Sequence, residues 1–337
     1  MNKQYTVAVV GATGAVGTEI LQVLEKRKFP MDRLKLLASA RSAGREIIFG
    51  REKIKVEELT TEAFAGVDLA LFSAGAGRSR EFAQCAVAAG ATVVDNSSAF
   101  RMNPEVPLVV PEVNPEDIAR HQGIIANPNC TTILMLTALK PLHDISPIRR
   151  IIVSTYQSAS GAGARAMEEL RRQTGQILAG ERVQPEAMPY QMAFNLFSHN
   201  SDIQEDGYCE EEVKMIKETR KMLHDDTIRI APTAIRVPLP RTHAEAIVIE
   251  QERKVSVEEA RKALSRAPGL RLVDEPEKNY FPMPIEAAGK DEVLVGRLRD
   301  DLSSDNGLAL FICGDQLLKG AALNAVQIAE LMADGNL

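Results

Sequence analysis

The chain contains no tryptophan and only four cysteines among 337 residues. Cys85, Cys130, Cys209 and Cys313 lie far apart, with neither metal-ligand spacing nor a disulfide framework. A reducing compartment is the expected setting, and no metal is expected. A basic excess is missing too: 40 Lys and Arg stand against 46 Asp and Glu. Nothing forms a basic stripe, so nucleic acid is excluded as a partner. No apolar run is long enough to span a membrane. Met-Asn-Lys-Gln-Tyr runs into a strand-like segment without a signal-peptide pattern. A cytoplasmic protein that binds no membrane is expected. Low-complexity tracts and internal repeats are absent, which excludes a repeat array. What is present is an ordinary apolar content of 45%, enough for a real core, in a chain of one large or two smaller domains.

Strand-like and helix-like segments alternate through the first part. Residues 7–10 read as a buried strand, followed by a glycine-rich loop and a helix to about Arg27. Residues 34–38, 69–72 and 91–94 read as further strands, and 81–89 as a helix. Such alternation argues for an α/β, doubly wound parallel sheet. The second part differs. Two long β-type runs, 149–155 and 245–250, enclose helices at 163–178 and 210–223 and a loop-rich stretch at 183–208. An α+β domain with a mixed sheet is expected there. Residues 321–331 read as an amphipathic helix that returns to the first domain, since chain termini often lie close together. The expected division is 1–129 with 318–337, and 130–317.

Cys130 stands in Asn127-Pro128-Asn129-Cys130-Thr131-Thr132, between a short apolar strand and an apolar helix. A cysteine at a helix N-terminus faces unpaired backbone N–H groups, which favour thiolate and nucleophilicity. The alternative is a small buried hydrophobe, the commoner fate of a free cysteine.

Gly11-x-x-Gly14-x-x-Gly17 follows a strand and opens a helix, the context of a dinucleotide loop. Its glycines permit a tight turn and a backbone approach to a pyrophosphate at the helix N-terminus. NAD sites usually place a carboxylate at the end of the second strand. Here that strand ends in Leu37-Ala38-Ser39-Ala40-Arg41-Ser42, with no acid. Arg41 with two serines suits a 2′-phosphate, so NADP is expected.

These segments, with Asp95-Asn96-Ser97-Ser98-Ala99-Phe100-Arg101, Gln157-Ser158-Ala159-Ser160-Gly161-Ala162-Gly163 and Arg236-Val237-Pro238, resemble the aspartate-β-semialdehyde dehydrogenase family in order and spacing. The resemblance runs nearly end to end. It implies a Rossmann-type NADP-binding domain and a catalytic and dimerisation domain. It also implies a homodimer or homotetramer. The implied reaction interconverts aspartate semialdehyde, phosphate and NADP⁺ with aspartyl phosphate and NADPH. The family resemblance makes Cys130 the nucleophile, His243 the acid/base and Gln157 the residue that orients the acyl intermediate. It assigns Arg236 to the substrate carboxylate, Glu211 and Lys214 to the amino group and phosphate, and Arg101 to phosphate. It assigns Gly11, Thr13, Gly14, Ala15, Val16, Gly17, Ser39, Arg41, Ser42, Ser73, Ser160, Gly161 and Gln316 to the cofactor. Three departures stand out. Thr242-His243-Ala244-Glu245 replaces the more usual Gly-His-Ser-Glu, Ala234 stands where a cysteine is common, and Asp315-Gln316 replaces Asp-Asn.

The chemistry is consistent with these residue types. A thiolate adds to the aldehyde, histidine takes the hydroxyl proton, and cationic side chains hold the phosphate. Each residue also has a plainer reading. Glu211 and Lys214, three apart on a helix, can form a surface pair, and Gln157 can cap a turn. Two other functions compete: an acyl-phosphate reductase acting on N-acetylglutamyl phosphate, and an inactive NADP-binding paralogue.

Overall fold

The computed structural model describes residues 3–333, in two compact units: Met1–Asn129 with Ala321–Leu337, and Cys130–Gly320. The first unit opens with β1 (Tyr5–Val10), α1 (Ala15–Arg27) and β2 (Met31–Ala38). A hairpin of β3 (Glu46–Phe49) and β4 (Glu52–Glu58) follows, then β5 (Leu69–Phe72), α2 (Ala76–Ala88), β6 (Thr92–Asp95) and β7 (Ile124–Ala126). The strands lie in the order β3-β4-β2-β1-β5-β6-β7, parallel except where β3 meets β4. Val7, Ala8, Val9 and Val10 are wholly buried, as is normal for a parallel strand covered on both faces. The chain leaves β1 for β2 on one side and later takes β5 on the other. Beyond the carboxyl end of such a switch point, doubly wound sheets bind their ligands. In this chain Gly11–Gly14 occupies that place.

Two helix boundaries differ from expectation. Helix α2 begins at Ala76 rather than near Glu81, because Gly75, at φ +85°, turns the chain directly into it. The C-terminal segment starts as a π-helical turn, Leu318–Ala322, before α8 (Leu323–Ala333). Nor is α8 simply amphipathic: Leu323 to Val326 are all buried, against α1 and β6 of the same unit. Its buried Asn324 is satisfied, since Nδ2 donates to Val109 O at 3.0 Å and Asn127 Oδ1 at 2.7 Å. Arg27 grips Glu330 with Nε and Nη2, each at 2.7 Å.

The second unit contains α3 (Cys130–Ile145), β8 (Ile148–Gln157), α4 (Ala164–Leu178), β9 (Phe197–Ser198), α5 (Glu210–Leu223), β10 (Arg229–Arg236) and β11 (His243–Gln251). It continues through α6 (Val257–Leu264), β12 (Leu270–Leu272), α7 (Pro284–Ala287), β13 (Val293–Asp300) and β14 (Gly307–Gly314). The sheet order is β12-β13-β14-β11-β8-β10-β9, with parallel and antiparallel neighbours mixed. Strands alternate their side chains between two faces. One row, Thr155 and Gln157 on β8 with His243, Glu245 and Ile247 on β11, is buried. Helix α3 covers this face: a Cβ added to Gly314, the partner of His243, would lie 2.5 Å from Leu134 Cδ2. The opposite row, Ile152, Ser154 and Tyr156 with Ala246 and Val248, is only partly covered.

Candidate active site

Cys130 is the first residue of α3, at the helix N-terminus, and is half-buried. Gly320 lies against it. A Cβ at Gly320 would come within 2.9 Å of Cys130 Cβ, so no larger residue fits without moving the cysteine. The first three residues of the π-helical turn therefore belong with the cysteine's unit, and the boundary falls after Gly320 rather than after residue 317.

His243, Arg236, Gln157 and Glu211 are gathered at the ends of β11, β10 and β8 and the start of α5. His243 is fully buried, and its Nδ1 lies 3.1 Å from both the N and the Oγ of Ser158. The backbone N–H can only donate, which suits the tautomer with the proton on Nε2. Ser158 Oγ can accept from Nδ1–H in the other tautomer, which leaves Nε2 as a base. Nε2 itself has no partner among the described residues. Burial first, and then the Arg236 charge, hold the imidazole well below its ordinary value, so it is neutral at pH 7.

Arg236 is 2% exposed; Nη1 donates to Ser158 O at 2.9 Å and Nη2 contacts His199 Nε2 at 2.8 Å and Asn200 Oδ1 at 3.3 Å. Burial lowers the guanidinium from its ordinary value, while Glu211 and Cys130 act in the opposite sense. Gly161 opens the space between these groups. A Cβ there would stand 3.0 Å from His243 Nε2 and 3.1 Å from Arg236 Nη1. Gln157 Nε2 donates to Glu211 Oε1 at 3.4 Å and Thr155 Oγ1 at 3.3 Å. Lys214 Nζ lies 3.8 Å from Glu211 Oε2 and 3.0 Å from Glu210 Oε1. The Glu211–Lys214 pair is thus real, and Glu211, 7% exposed, also faces inward.

Of two further features, one carried no sequence signal and the other showed only as a departure from the family's usual glycine. His199 comes from the loop-rich stretch beside β9, and only the fold brings it to Arg236. Thr242 adopts φ +79°, a conformation a β-branched residue rarely takes. Gln316 holds it there: Gln316 Oε1 accepts from Thr242 N–H at 2.9 Å, and its Nε2 donates to Ser160 Oγ. Both ends of the Gln316 amide are therefore used inside the second unit. Ser160 Oγ also lies 3.0 Å from Ser158 Oγ.

In the first unit, the loop after β1 fits a dinucleotide. Gly11 has φ +86°, and a Cβ there would lie 2.8 Å from Ser73 O. A Cβ at Gly17 would lie 2.2 Å from Gly11 O, so this glycine lets α1 pack against the loop. Gly14 caps α1 without a side-chain bond, and the first turn, which includes Ala15 and Val16, has no acidic residue. The helix N-terminus thus offers backbone N–H groups and a positive dipole end to an anion. Ser39 to Ser42 form a turn beyond β2, closed by Ser42 N–H donating to Ser39 O at 2.8 Å. Thr13 Oγ1 reaches Ser42 Oγ at 3.5 Å, and Arg41 is exposed beside it. Arg101 is 8% exposed, with Nε donating to Asn127 O and Nη2 to Asn96 O, both at 2.9 Å.

Residues 6–121 match the family described as semialdehyde dehydrogenase, NAD binding domain. Residues 139–319 match semialdehyde dehydrogenase, dimerisation domain. An aspartate-semialdehyde dehydrogenase from Synechocystis sp. is 58% identical over 328 residues, covering 97% of each chain. One from Aquifex aeolicus is 50% identical over 332 residues, covering 97% of this chain and 98% of that protein. The crystal structure of aspartate semialdehyde dehydrogenase II from Vibrio cholerae, complexed with ASA, matches with a TM-score of 0.97 at 44% identity. That match covers 99% of this chain and 100% of the other. The chain belongs to the aspartate-semialdehyde dehydrogenase family.

Proposed function

We propose that this chain catalyses the reversible, NADPH-dependent reductive dephosphorylation of L-aspartyl-4-phosphate to L-aspartate-4-semialdehyde. This step feeds the biosynthesis of lysine through diaminopimelate, and of threonine, methionine and isoleucine. The carrying observation is the convergence of His243 Nε2 and Arg236 Nη1 on the space above Gly161, in the unit whose α3 begins with Cys130.

In the oxidative direction, the Cys130 sulfur adds to the aldehyde carbon and forms a thiohemiacetal. His243 Nε2 takes the hydroxyl proton, with Nδ1–H donating to Ser158 Oγ in the tautomer this requires. NADP⁺, when bound, would supply the acceptor for the hydride that the thiohemiacetal carbon gives up, and the acyl group then remains on Cys130 as a thioester. Phosphate then attacks the thioester and releases the sulfur. In the reverse direction the other tautomer donates from Nε2 to the developing oxyanion, supported by the Ser158 N–H at Nδ1. Gln157 orients the acyl group, and its own amide is held by Glu211 and Thr155. Arg236 binds the α-carboxylate, Glu211 the amino group, and Lys214 with Arg101 the phosphate. Gly11, Thr13, Gly14, Ala15, Val16, Gly17 and Ser73 cradle the dinucleotide, with Arg41, Ser39 and Ser42 at the 2′-phosphate. Ser160, Gly161 and Gln316 contact the cofactor.

The partly covered face of the second sheet supports a homodimer, formed in the cytoplasm. Phosphate-dependent NADPH formation tests the reading, run with aspartate semialdehyde beside N-acetylglutamate semialdehyde. Turnover of the first substrate alone is expected. A preference for the second would assign the chain to N-acetylglutamyl-phosphate reduction, and turnover of neither would make it an inactive paralogue.

A further inference from the structure

His199 belongs to none of the motifs that carry the resemblance, yet it makes the shortest contact to Arg236. Arginine can only donate, so at 2.8 Å the His199 Nε2 must accept from Nη2. The ring proton is then on Nδ1 and goes to Ser201 Oγ at 3.0 Å, while the Ser201 N–H, 3.2 Å from the same Nδ1, gives up that acceptor because the arginine at Nε2 cannot accept. Asn200 Oδ1 takes a second Nη2 contact at 3.3 Å, and Ser158 O holds one side of Nη1 at 2.9 Å. The Arg236 Nε is buried without a partner among the described residues. A guanidinium held at Nη2 and at one side of Nη1 has no freedom to rotate. Its free Nη1 side points to the space above Gly161, next to His243 Nε2.

We propose that His199 is a positioning residue for substrate recognition. By accepting from Nη2, it fixes the Arg236 guanidinium so that Nη1 meets the carboxylate of a small α-amino aldehyde acid at a set distance from the reacting carbon. The inference rests on the reading that Arg236 binds that carboxylate. A neutral His199 is required, because an imidazolium could not accept and would repel the guanidinium. Burial brings His199 down to about 4; Glu211 opposes this and Arg236 adds to it, so the ring is neutral at pH 7.

The test compares His199→Ala, His199→Gln and Arg236→Lys in the full chain, with aspartate semialdehyde and with 3-aminopropanal, the same aldehyde without its carboxylate. His199→Ala should raise KM for aspartate semialdehyde about tenfold or more, the loss typical of one charge-assisted bond. KM for phosphate and kcat/KM for 3-aminopropanal should stay near wild type. His199→Gln, whose amide oxygen can accept from Nη2, should recover most of the loss. If His199→Ala does not fold, His199→Asn, too short to reach Nη2, replaces it. Equal losses with both aldehydes, or no recovery in His199→Gln, would overturn the proposal. An unchanged KM for aspartate semialdehyde in Arg236→Lys would instead overturn the Arg236 reading beneath it.

Discussion

At the scale of single residues, the missing Cβ of Gly161 has the sharpest consequence. Any side chain there meets His243 Nε2 and Cε1 at 3.0 Å, and these buried ring atoms have little room to retreat. Gly161→Ala should therefore displace the imidazole or fill the substrate space. A shift of about 1 Å at reacting groups can cost about a hundredfold, so kcat/KM should fall by that order. Melting should change far less than activity. Steady-state kinetics beside a thermal melt checks this, and a variant with normal kcat/KM would show that the space is not used. Such residues were unevenly legible in the sequence. The place of Cys130 at a helix N-terminus was readable because its signal is local: a strand, a polar turn and a helix in succession. His199 was not, because its role depends on β9 pairing with β10 and bringing the next residue to Arg236. Thr242 was visible as a departure from the usual glycine, but its left-handed φ and the Gln316 bond that holds it exist only in the fold.

At the scale of elements, β11 places two titratable groups of opposite tendency on one buried face. Glu245 is fully buried, and neither carboxylate oxygen has a partner among the described residues. Burial raises it well above 4.5. A raised acid contributes stability that is complete below its unfolded value and is lost as pH climbs towards the folded one. His243 works the other way: its folded value is lowered, so its contribution is complete above about 6.5 and is lost as pH falls. Glu245→Gln removes the first loss and leaves the second. Relative to wild type, the variant should gain stability from pH 5 to pH 8, by at most about 1.4 kcal/mol per pH unit for one proton. Urea unfolding at the two pH values measures it; a gap that does not change would mean that Glu245 is ionised or paired. The sequence marked β11 as a strand at 245–250 because its apolar residues alternate with others. It marked β5 at 69–72 because a doubly covered strand is a continuous apolar run. It did not mark β10 or β13, where Pro232, Gly296 and Arg297 interrupt the pattern, nor β14, although Leu308 to Cys313 is a continuous apolar run. The π-helical turn before α8, which brings Gly320 against Cys130, had no signal either.

At the scale of the whole molecule, one face of the second sheet is only partly covered, and the proposed homodimer would use it. Ile152, on the inner strand β8, is 38% exposed, and Tyr156 with Phe311 forms a tilted aromatic pair on the same face. The match of residues 139–319 to a dimerisation domain supports oligomer formation through this unit. A charge at the centre of such an interface should prevent burial, because an unpaired charge is costly to desolvate. Sedimentation should give twice the 36.8 kDa chain mass for wild type, and Ile152→Lys should shift it towards the monomer. An unchanged mass would place the interface elsewhere. The division into two units was legible from the change in strand and helix pattern near Cys130. Its other boundary was not, because it depends on which residues pack beside the cysteine.

The proposed mechanism requires a covalent intermediate at Cys130. Incubation with L-aspartyl-4-phosphate in the absence of NADPH should acylate the protein, and peptide mass spectrometry should find the group on Cys130 alone, removable by hydroxylamine. Cys130→Ala should fold, take up no acyl group and show no turnover. Acylation at another residue, or turnover that survives in Cys130→Ala, would show that Cys130 is not the nucleophile.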